Sequence, residues 1–200
     1  MWNNERLAQL QLYRTDQIGP AAYHDLIQTY GSAVEALKNL PDIAKKSGRK
    51  RPIKIKSISE IEQEITRLEK ANGHFIFETD EIYPDLLKSI SDAPPVLSAL
   101  GDINLLQSKK IAVVGTRNCS YNGQIFASNI SAQLVENDYT VVSGMARGID
   151  CAAHTGALKN ASQNVSTIAV LGTGINVPYP EENRKLYDAL REKGLILSEF

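Results

Sequence analysis

Hydrophobic and polar residues follow two different patterns along this chain, and the change occurs near residue 73. Over residues 5–70 the apolar positions recur at helical spacing, as in helices that bury one face. Ile18-Gly19-Pro20, Gly31-Ser32 and Asn72-Gly73 are the expected helix boundaries, because Gly and Pro end or begin helices. The pattern therefore predicts a small all-helical domain over residues 1–72.

Short, continuous apolar runs alternate with helical stretches from residue 73 onward. Strands are predicted at 74–77, 96–100, 111–114, 140–142, 166–171 and 195–197, and helices at 121–137, 148–161 and 181–193. Such runs are typical of parallel strands that are buried on both faces. Right-handed crossovers bring the carboxyl ends of these strands to one edge. The predicted fold class is α/β, with a Rossmann-like parallel sheet domain over residues 73–200 after the all-α domain.

Composition narrows the possible functions. The 200 residues are 42% hydrophobic and 22% charged, which is ordinary for a soluble globular chain. The N-terminus lacks the layout of a secretory signal, and no apolar run approaches the roughly 18 residues of a membrane span. Two cysteines, Cys119 and Cys151, cannot form a disulfide framework, so we expect a cytoplasmic protein. The three histidines make no zinc pattern, so a metal site is not expected.

The net charge of −1 means that any nucleic-acid role must rest on a local basic patch. One candidate is the segment 45–56, which carries no acidic residue. Its basic residues are Lys45, Lys46, Arg49, Lys50, Arg51, Lys54 and Lys56. This segment is either a solvated linker or, with the helical domain, a contact for duplex DNA or another protein.

Glycines and arginines stand at the carboxyl ends of the predicted strands. Gly115-Thr116-Arg117 follows the first strand of the parallel series, Ser143-Gly144 and Arg147 follow the second, and Gly172-Thr173-Gly174 follows the third. Glycine lets backbone N–H groups approach an anion, and a guanidinium matches a phosphate. The segment at Arg117 is therefore a candidate phosphate site, the alternative being a tight turn with a surface arginine. Arginines at two strand ends favour an extended polyanion at least as much as one small phosphate.

Known nucleotide-binding motifs are absent from these strand ends. No second and third glycine follow Gly115 at dinucleotide-binding spacing, and the second strand ends without an acidic ribose ligand. No Gly-Lys-Ser or Gly-Lys-Thr triplet is present, which excludes a P-loop ATPase. The sequence therefore argues against NAD and ATP as ligands.

Several further residues allow more than one role. Asp150 and His154, one helical turn apart, are either an acid–base couple or a helix cap with a buried histidine, and the second interpretation is favoured. Asn183 either holds the loops together or contacts the ligand. Tyr121 and Tyr179 are the candidates for stacking on a base.

The motifs occur in a characteristic order. They are Val-Gly-Thr-Arg ending at Arg117, Val-Val-Ser-Gly-Met-Ala-Arg-Gly-Ile-Asp ending at Asp150, Thr-Ile-Ala-Val-Leu-Gly-Thr-Gly-Ile-Asn ending at Asn176, and Tyr-Pro-Glu-Glu-Asn ending at Asn183. From about residue 95 onward this series resembles the DNA-processing protein A family (DprA/Smf). The helical region is similar to the SAM-like, helix-hairpin-helix-related domain that often precedes it.

The resemblance implies a cytoplasmic bacterial protein of natural transformation (competence). Such a protein binds incoming single-stranded DNA, protects it and helps to load the RecA recombinase, as a homodimer without enzymatic activity, metal or nucleotide cofactor. By motif match, Arg117 and Arg147 would contact DNA phosphates. The other expected DNA-binding residues are Gly115, Thr116, Ser143, Gly144, Gly172, Gly174 and, less strongly, Asn183. The alternative is an enzyme like the nucleotide phosphoribohydrolases, although their Pro-Gly-Gly-x-Gly-Thr loop is absent here.

The sequence departs from the family pattern at its end. After Ser198-Glu199 the family continues with a Phe-Pro/Gly-Pro loop and an Arg-Asn-Arg-Ile-Ile segment, whereas this chain stops at Phe200. We therefore expect the Rossmann-like domain to be truncated, with an incomplete dimer surface and RecA contact. The DNA-binding edge is expected to be less affected.

Overall fold

A computed structural model describes residues 2–46, 53–162 and 164–200 of the chain. Within it the chain forms two compact units. The first comprises Met1–Lys70, Phe77–Thr79 and Asp85–Val96, and the second comprises Ala71–Ile76, Asp80–Pro84 and Leu97–Phe200. Residues 47–52 of the basic segment 45–56 lie outside the described residues, so the role of the segment stays a prediction.

The secondary structure follows the predicted order of helices and strands. The helices are α1 (Asn4–Tyr13), α2 (Pro20–Tyr30), α3 (Ala33–Lys46), α4 (Ile58–Lys70), α5 (Asp85–Lys88), α6 (Tyr121–Glu136), α7 (Ile149–Lys159) and α8 (Arg184–Lys193). The strands are β1 (Gly73–Phe77), β2 (Val96–Gly101), β3 (Lys109–Ala112), β4 (Tyr139–Ser143), β5 (Thr167–Leu171) and β6 (Leu195–Ser198). Short 3-10 helices cover Ile103–Gln107 and Glu181–Asn183. No helix among these described residues is both long and apolar enough to span a bilayer.

The first unit is helical because its sequence supplies both caps and a buried face. The Asn3 side chain caps α1 by accepting a hydrogen bond from the Arg6 amide at 2.9 Å. α2 begins at Pro20 and is capped after Tyr30 by Gly31, whose φ of 76° ends the helix without a Cβ penalty. Leu10 and Leu12 are fully buried in this unit. The predicted small all-helical domain is confirmed as a structural element of the chain.

The six strands form one mostly parallel sheet in the order β1-β2-β6-β5-β4-β3. β3, β4, β5 and β6 pair in parallel, so their carboxyl ends lie at one edge. β2 runs antiparallel to β6, and β1 flanks β2, so the strands predicted at 74–77 and 96–100 both belong to the sheet. The predicted α/β fold with a Rossmann-like sheet is therefore confirmed.

Helices α6 and α7 pack closely on one face of the sheet. Val141 of β4 is buried against Val135, Ala153 and Ala157 of these two helices. Gly156 of α7 lies so close to the backbone of α6 that a Cβ there would overlap the carbonyl oxygen of Ser128. The helices thereby form a tight pair whose N-termini lie at the carboxyl edge of the sheet.

The expectation that the parallel strands are buried on both faces is wrong for part of the sheet. Val170 of β5 is 48% exposed, and Val114, just beyond β3, is 70% exposed. Both stand on the face opposite Val141, as their register with β4 and β6 requires. The apolar runs therefore indicate the strands correctly but not how completely these 200 residues cover them.

Candidate nucleic-acid interface

The loops at the carboxyl ends of β3, β4 and β5 surround one cavity of about 480 Å³. The loop after β3 contributes Arg117 and Asn118, and the loop after β4 contributes Gly144, Ala146 and Arg147. The end of β5 and the chain after it contribute Leu171, Gly172, Thr173, Tyr179 and Pro180. We call this the carboxyl-edge cavity. It brings together the two arginines that the sequence placed at separate strand ends.

The two arginine-bearing loops touch each other directly. The Ile149 amide donates a hydrogen bond to the Thr116 carbonyl oxygen at 3.3 Å. Gly148, with a φ of +77°, lies against the carbonyl groups of Thr116 and Arg117, where a Cβ would overlap both. A residue with a side chain would be both strained and crowded at this position. The fixed contact sets the spacing between Arg117 and Arg147.

Asp150 and Asn183 hold the loop after β4 from two sides. The Asp150 carboxylate accepts hydrogen bonds from the amides of Gly144 and Ala146, at 3.1 and 3.4 Å. The Asn183 side-chain amide donates to the carbonyl oxygens of Met145 and Ala146, at 3.0 and 3.4 Å. Both side chains are buried. Of the two roles open to Asn183, the geometry is that of a loop tether.

The remaining predicted site residues divide into lining and supporting positions. Gly144 and Gly172 line the carboxyl-edge cavity with the two arginines. The buried Ser143 hydroxyl donates to the Val113 carbonyl oxygen at 2.7 Å and so joins β4 to the end of β3. The others lie in the same loops without lining the cavity. Gly115 packs against Ile149, and Gly174 lies next to Asn176. The third is Thr116, whose hydroxyl accepts a hydrogen bond from the Asn118 amide.

The electrostatic environments of the two arginines differ. Arg117 is exposed and forms no ion pair with another described residue. Arg147 forms an ion pair with Glu182 at 2.7 Å, and the two side chains are 61% and 63% exposed. Exposed pairs of this kind contribute about 0–1 kcal/mol, so a phosphate can displace the carboxylate at small cost. The site therefore presents one free and one lightly paired guanidinium.

His154 is a buried structural residue rather than an exposed base. Thr167 donates its hydroxyl to the Val141 carbonyl oxygen, so its oxygen accepts from His154 Nδ1 at 2.7 Å. Burial lowers the pKa of His154 from 6.5 to about 4. The Asp150 carboxylate binds the amides of the loop after β4. The geometry therefore agrees with the favoured interpretation, in which Asp150 caps the start of the helix and His154 is a buried histidine.

Two residues at the site were not predicted to belong to it, Thr173 and Glu182. Thr173 lines the cavity beside Tyr179, the predicted stacking candidate, which is 62% exposed. From the sequence, Glu182 was assigned only to the start of a predicted helix. The acidic pair Glu181-Glu182 could nevertheless have indicated an ion pair with a nearby arginine. Within the described residues no group of three or more His, Cys, Asp or Glu side chains could hold a metal ion.

Comparison with known proteins gives matches over both parts of the chain. The family model described as DNA recombination-mediator protein A matches residues 74–200, and the model of the DprA-like N-terminal HHH domain matches residues 3–66. The DNA processing protein DprA of Streptococcus pneumoniae is 35% identical over 197 residues, which cover 98% of this chain and 68% of that relative. Protein Smf of Escherichia coli is 38% identical over 141 residues, covering 70% of this chain and 37% of that relative.

Solved structures agree with these matches. The X-ray structure of DprA from Streptococcus pneumoniae aligns with all of this chain and 68% of its own, at a TM-score of 0.69 and 32% identity. A Helicobacter pylori DprA structure, described by its single-stranded DNA binding mode, aligns with 64% of this chain and 55% of its own at a TM-score of 0.57 and 29% identity. The chain belongs to the DNA recombination-mediator protein A family, DprA/Smf.

Proposed function

We propose that this chain binds single-stranded DNA across the carboxyl-edge cavity, with Arg117 and Arg147 on successive backbone phosphates. The observation that carries the proposal is the convergence of these two guanidinium groups on one open cavity at the sheet edge. The Helicobacter pylori relative, whose structure is described by its single-stranded DNA binding mode, supports the choice of ligand. The remaining site residues act mainly by shaping and fixing the loops.

The chemistry of the cavity favours contacts to the DNA backbone over contacts to particular bases. Guanidinium groups and a glycine-lined loop match phosphates, which carry no sequence information. Tyr179 offers an exposed ring on which any base can stack. Binding is therefore expected to depend strongly on salt and weakly on base sequence.

Replacing Arg117 by alanine tests the proposal directly. We expect the affinity for a labelled single strand to fall roughly tenfold, the effect of losing about 1.4 kcal/mol in a charge-assisted contact. The slope of log affinity against log salt should flatten by about 0.7, the contribution of one single-strand phosphate. The measurement is fluorescence anisotropy at several salt concentrations.

The matched control is Arg191→Ala. Arg191 is an exposed arginine in the last turn of α8, at the amino edge of the sheet. It should leave both the affinity and the salt slope unchanged. An Arg117→Ala protein that binds like the wild type, or one that weakens only as much as the control, would contradict the proposed site.

Glu182→Gln is expected to strengthen binding. The substitution removes the carboxylate that pairs with Arg147 at 2.7 Å and would otherwise repel a phosphate. Because an exposed pair contributes at most about 1 kcal/mol, the gain should reach roughly fivefold. Glu181→Gln removes the same charge one position earlier but leaves Arg147 paired, since Glu181 binds Arg184. Equal gains from both variants in the anisotropy assay would mean that only overall charge matters.

We infer a biological role from the same family membership. The chain takes part in natural transformation, where it protects incoming single-stranded DNA in the cytoplasm and helps to load RecA. It does so as a homodimer, and binding rather than catalysis is its function. The support is the family description, DNA recombination-mediator protein A, together with relatives named DNA processing proteins. RecA filament formation on DNA, followed by electron microscopy with and without the chain, tests the loading step.

An enzyme resembling the nucleotide phosphoribohydrolases is the alternative function. The acid–base couple that the sequence offers for it is Asp150 with His154. The carboxylate is engaged by the Gly144 and Ala146 amides, and His154 is fully buried against Thr167. Both arrangements favour the binding function. Release of free base from a nucleoside monophosphate by the purified chain, abolished in an Asp150→Asn variant, would revive the enzyme.

A further inference from the structure

A second depression adjoins the carboxyl-edge cavity and shares Arg147 with it. It is a groove of about 440 Å³ between α6 and α7, which we call the α6–α7 groove. Arg147 and Gly148 line it at the start of α7, and Lys159 lines it at the last residue of that helix. The groove therefore continues the surface of the carboxyl-edge cavity along the helix pair.

The lining of the groove is complementary to a polyanion. It includes two cations, Arg147 and Lys159, and no aspartate or glutamate among its described residues. Lys159 Nζ lies 3.3 Å from the Ser128 hydroxyl, so the ammonium is held at the groove by a neutral partner. Amide and hydroxyl side chains, among them Gln124, Asn129 and Thr155, contribute to the remaining lining and can hydrogen-bond a DNA backbone.

Tyr121 gives the groove a platform for a nucleobase. It is the first residue of α6, it lines the groove, and its side chain is 76% exposed. An exposed aromatic ring beside a basic groove is the combination by which proteins hold single strands without reading their sequence.

The dimensions of the groove suit a short stretch of single strand. α7 has 11 residues and so spans about 16 Å at 1.5 Å per residue. At a stacked spacing of roughly 3.4 Å per nucleotide this length accommodates about five nucleotides, and fewer in an extended strand. Two cations at the two ends can then neutralise phosphates several nucleotides apart.

We propose that the α6–α7 groove is a second single-stranded DNA subsite, continuous with the carboxyl-edge cavity through Arg147. A base stacks on Tyr121, and a phosphate binds Lys159. This inference rests on the proposed function, because the groove is an extension of the path that begins between Arg117 and Arg147. The strand leaves the cavity over Gly148 and follows the helix pair away from the sheet edge.

The length of the DNA oligonucleotide distinguishes binding in the groove from binding in the cavity. Oligothymidylates of about six and about twenty nucleotides are compared by anisotropy with the full chain, since only the longer can fill both places at once. We expect Lys159→Gln to weaken binding of the longer strand and to flatten its salt slope by about 0.7, with little change for the shorter one. Lys193→Gln, at the exposed end of α8 on the opposite edge, is the charge-matched control and should have no effect.

Substitutions at Tyr121 test the stacking contact separately. Tyr121→Ala should weaken binding of the longer strand by roughly fivefold or more, whereas Tyr121→Phe, which keeps the ring, should retain it. Unchanged thermal unfolding confirms that these exposed substitutions leave the fold intact. If the Lys159 and Tyr121 variants bind both strands like the wild type while Arg117→Ala is weakened, the groove proposal fails alone. If the wild type binds neither strand, the proposed function fails with it.

Discussion

Replacing Gly156 by alanine is expected to destabilise the sheet-containing unit by about 2 kcal/mol, although alanine is the better helix former. In a helix interior this change normally gains up to about 1 kcal/mol. At Gly156 the new Cβ would overlap the Ser128 carbonyl oxygen of α6, and the clash is with backbone, which cannot rotate away. Overpacking of this kind costs roughly 1–3 kcal/mol, so α6 and α7 must separate.

Gly123→Ala provides an internal comparison for this prediction. Gly123 also lies in a helix, near the start of α6, but its Cβ would meet the Ser120 hydroxyl at 3.4 Å, an ordinary contact. The same chemical change should therefore be neutral or stabilising there. Urea unfolding followed by circular dichroism should give a lower free energy of unfolding for Gly156→Ala and an equal or higher one for Gly123→Ala. A Gly156→Ala protein as stable as Gly123→Ala would show that the helices are not in close contact.

The order of elements could be predicted because continuous apolar runs and glycines mark buried strands and their ends. The start of β3 could not, because Lys109 and Lys110 do not belong to an apolar run. The structure accommodates Lys110 by letting its ammonium donate to the carbonyl oxygens of Leu106 and Ser108, at 2.7 and 2.6 Å. Such compensation depends on the folded positions of a preceding turn, which a hydrophobic pattern does not contain.

The candidate site, too, has features that the sequence predicts and features that depend on the folded structure. Parallel pairing made it predictable that the loops bearing Arg117 and Arg147 would meet at one edge. The acidic pair Glu181-Glu182 could signal an ion-pair partner, but its pairing with Arg147 could not be predicted, because Glu182 is 35 positions away and pairing depends on the path of the chain after β5. The role of Asp150 was open for a similar reason, since its carboxylate could serve either loop amides or a histidine until the geometry was known. Spacing identifies candidates, and tertiary contacts select among their roles.

The burial of His154 predicts how the stability of this unit depends on pH. The histidine is fully buried and its pKa is lowered from 6.5 to about 4 by desolvation. In the unfolded chain the same imidazole takes up a proton near pH 6.5. Between these values the unfolded state binds more protons than the folded state, so stability falls as the pH falls. Above about pH 6.5 both states are neutral, and this group contributes no pH dependence.

We expect His154 to remove about 3 kcal/mol of folding stability as the pH is lowered from about 6.5 to about 4. Carboxylates titrate over the same interval, so the measurement is the difference between wild type and His154→Asn, whose amide can still donate to the Thr167 oxygen and does not titrate. The cavity left by the smaller side chain lowers stability at every pH and cancels from the slope. Urea unfolding at a series of pH values should show the variant losing less stability than the wild type on acidification. Parallel pH profiles would mean that water or a nearby group accepts the imidazolium in the folded state, and that the space around His154 is not closed.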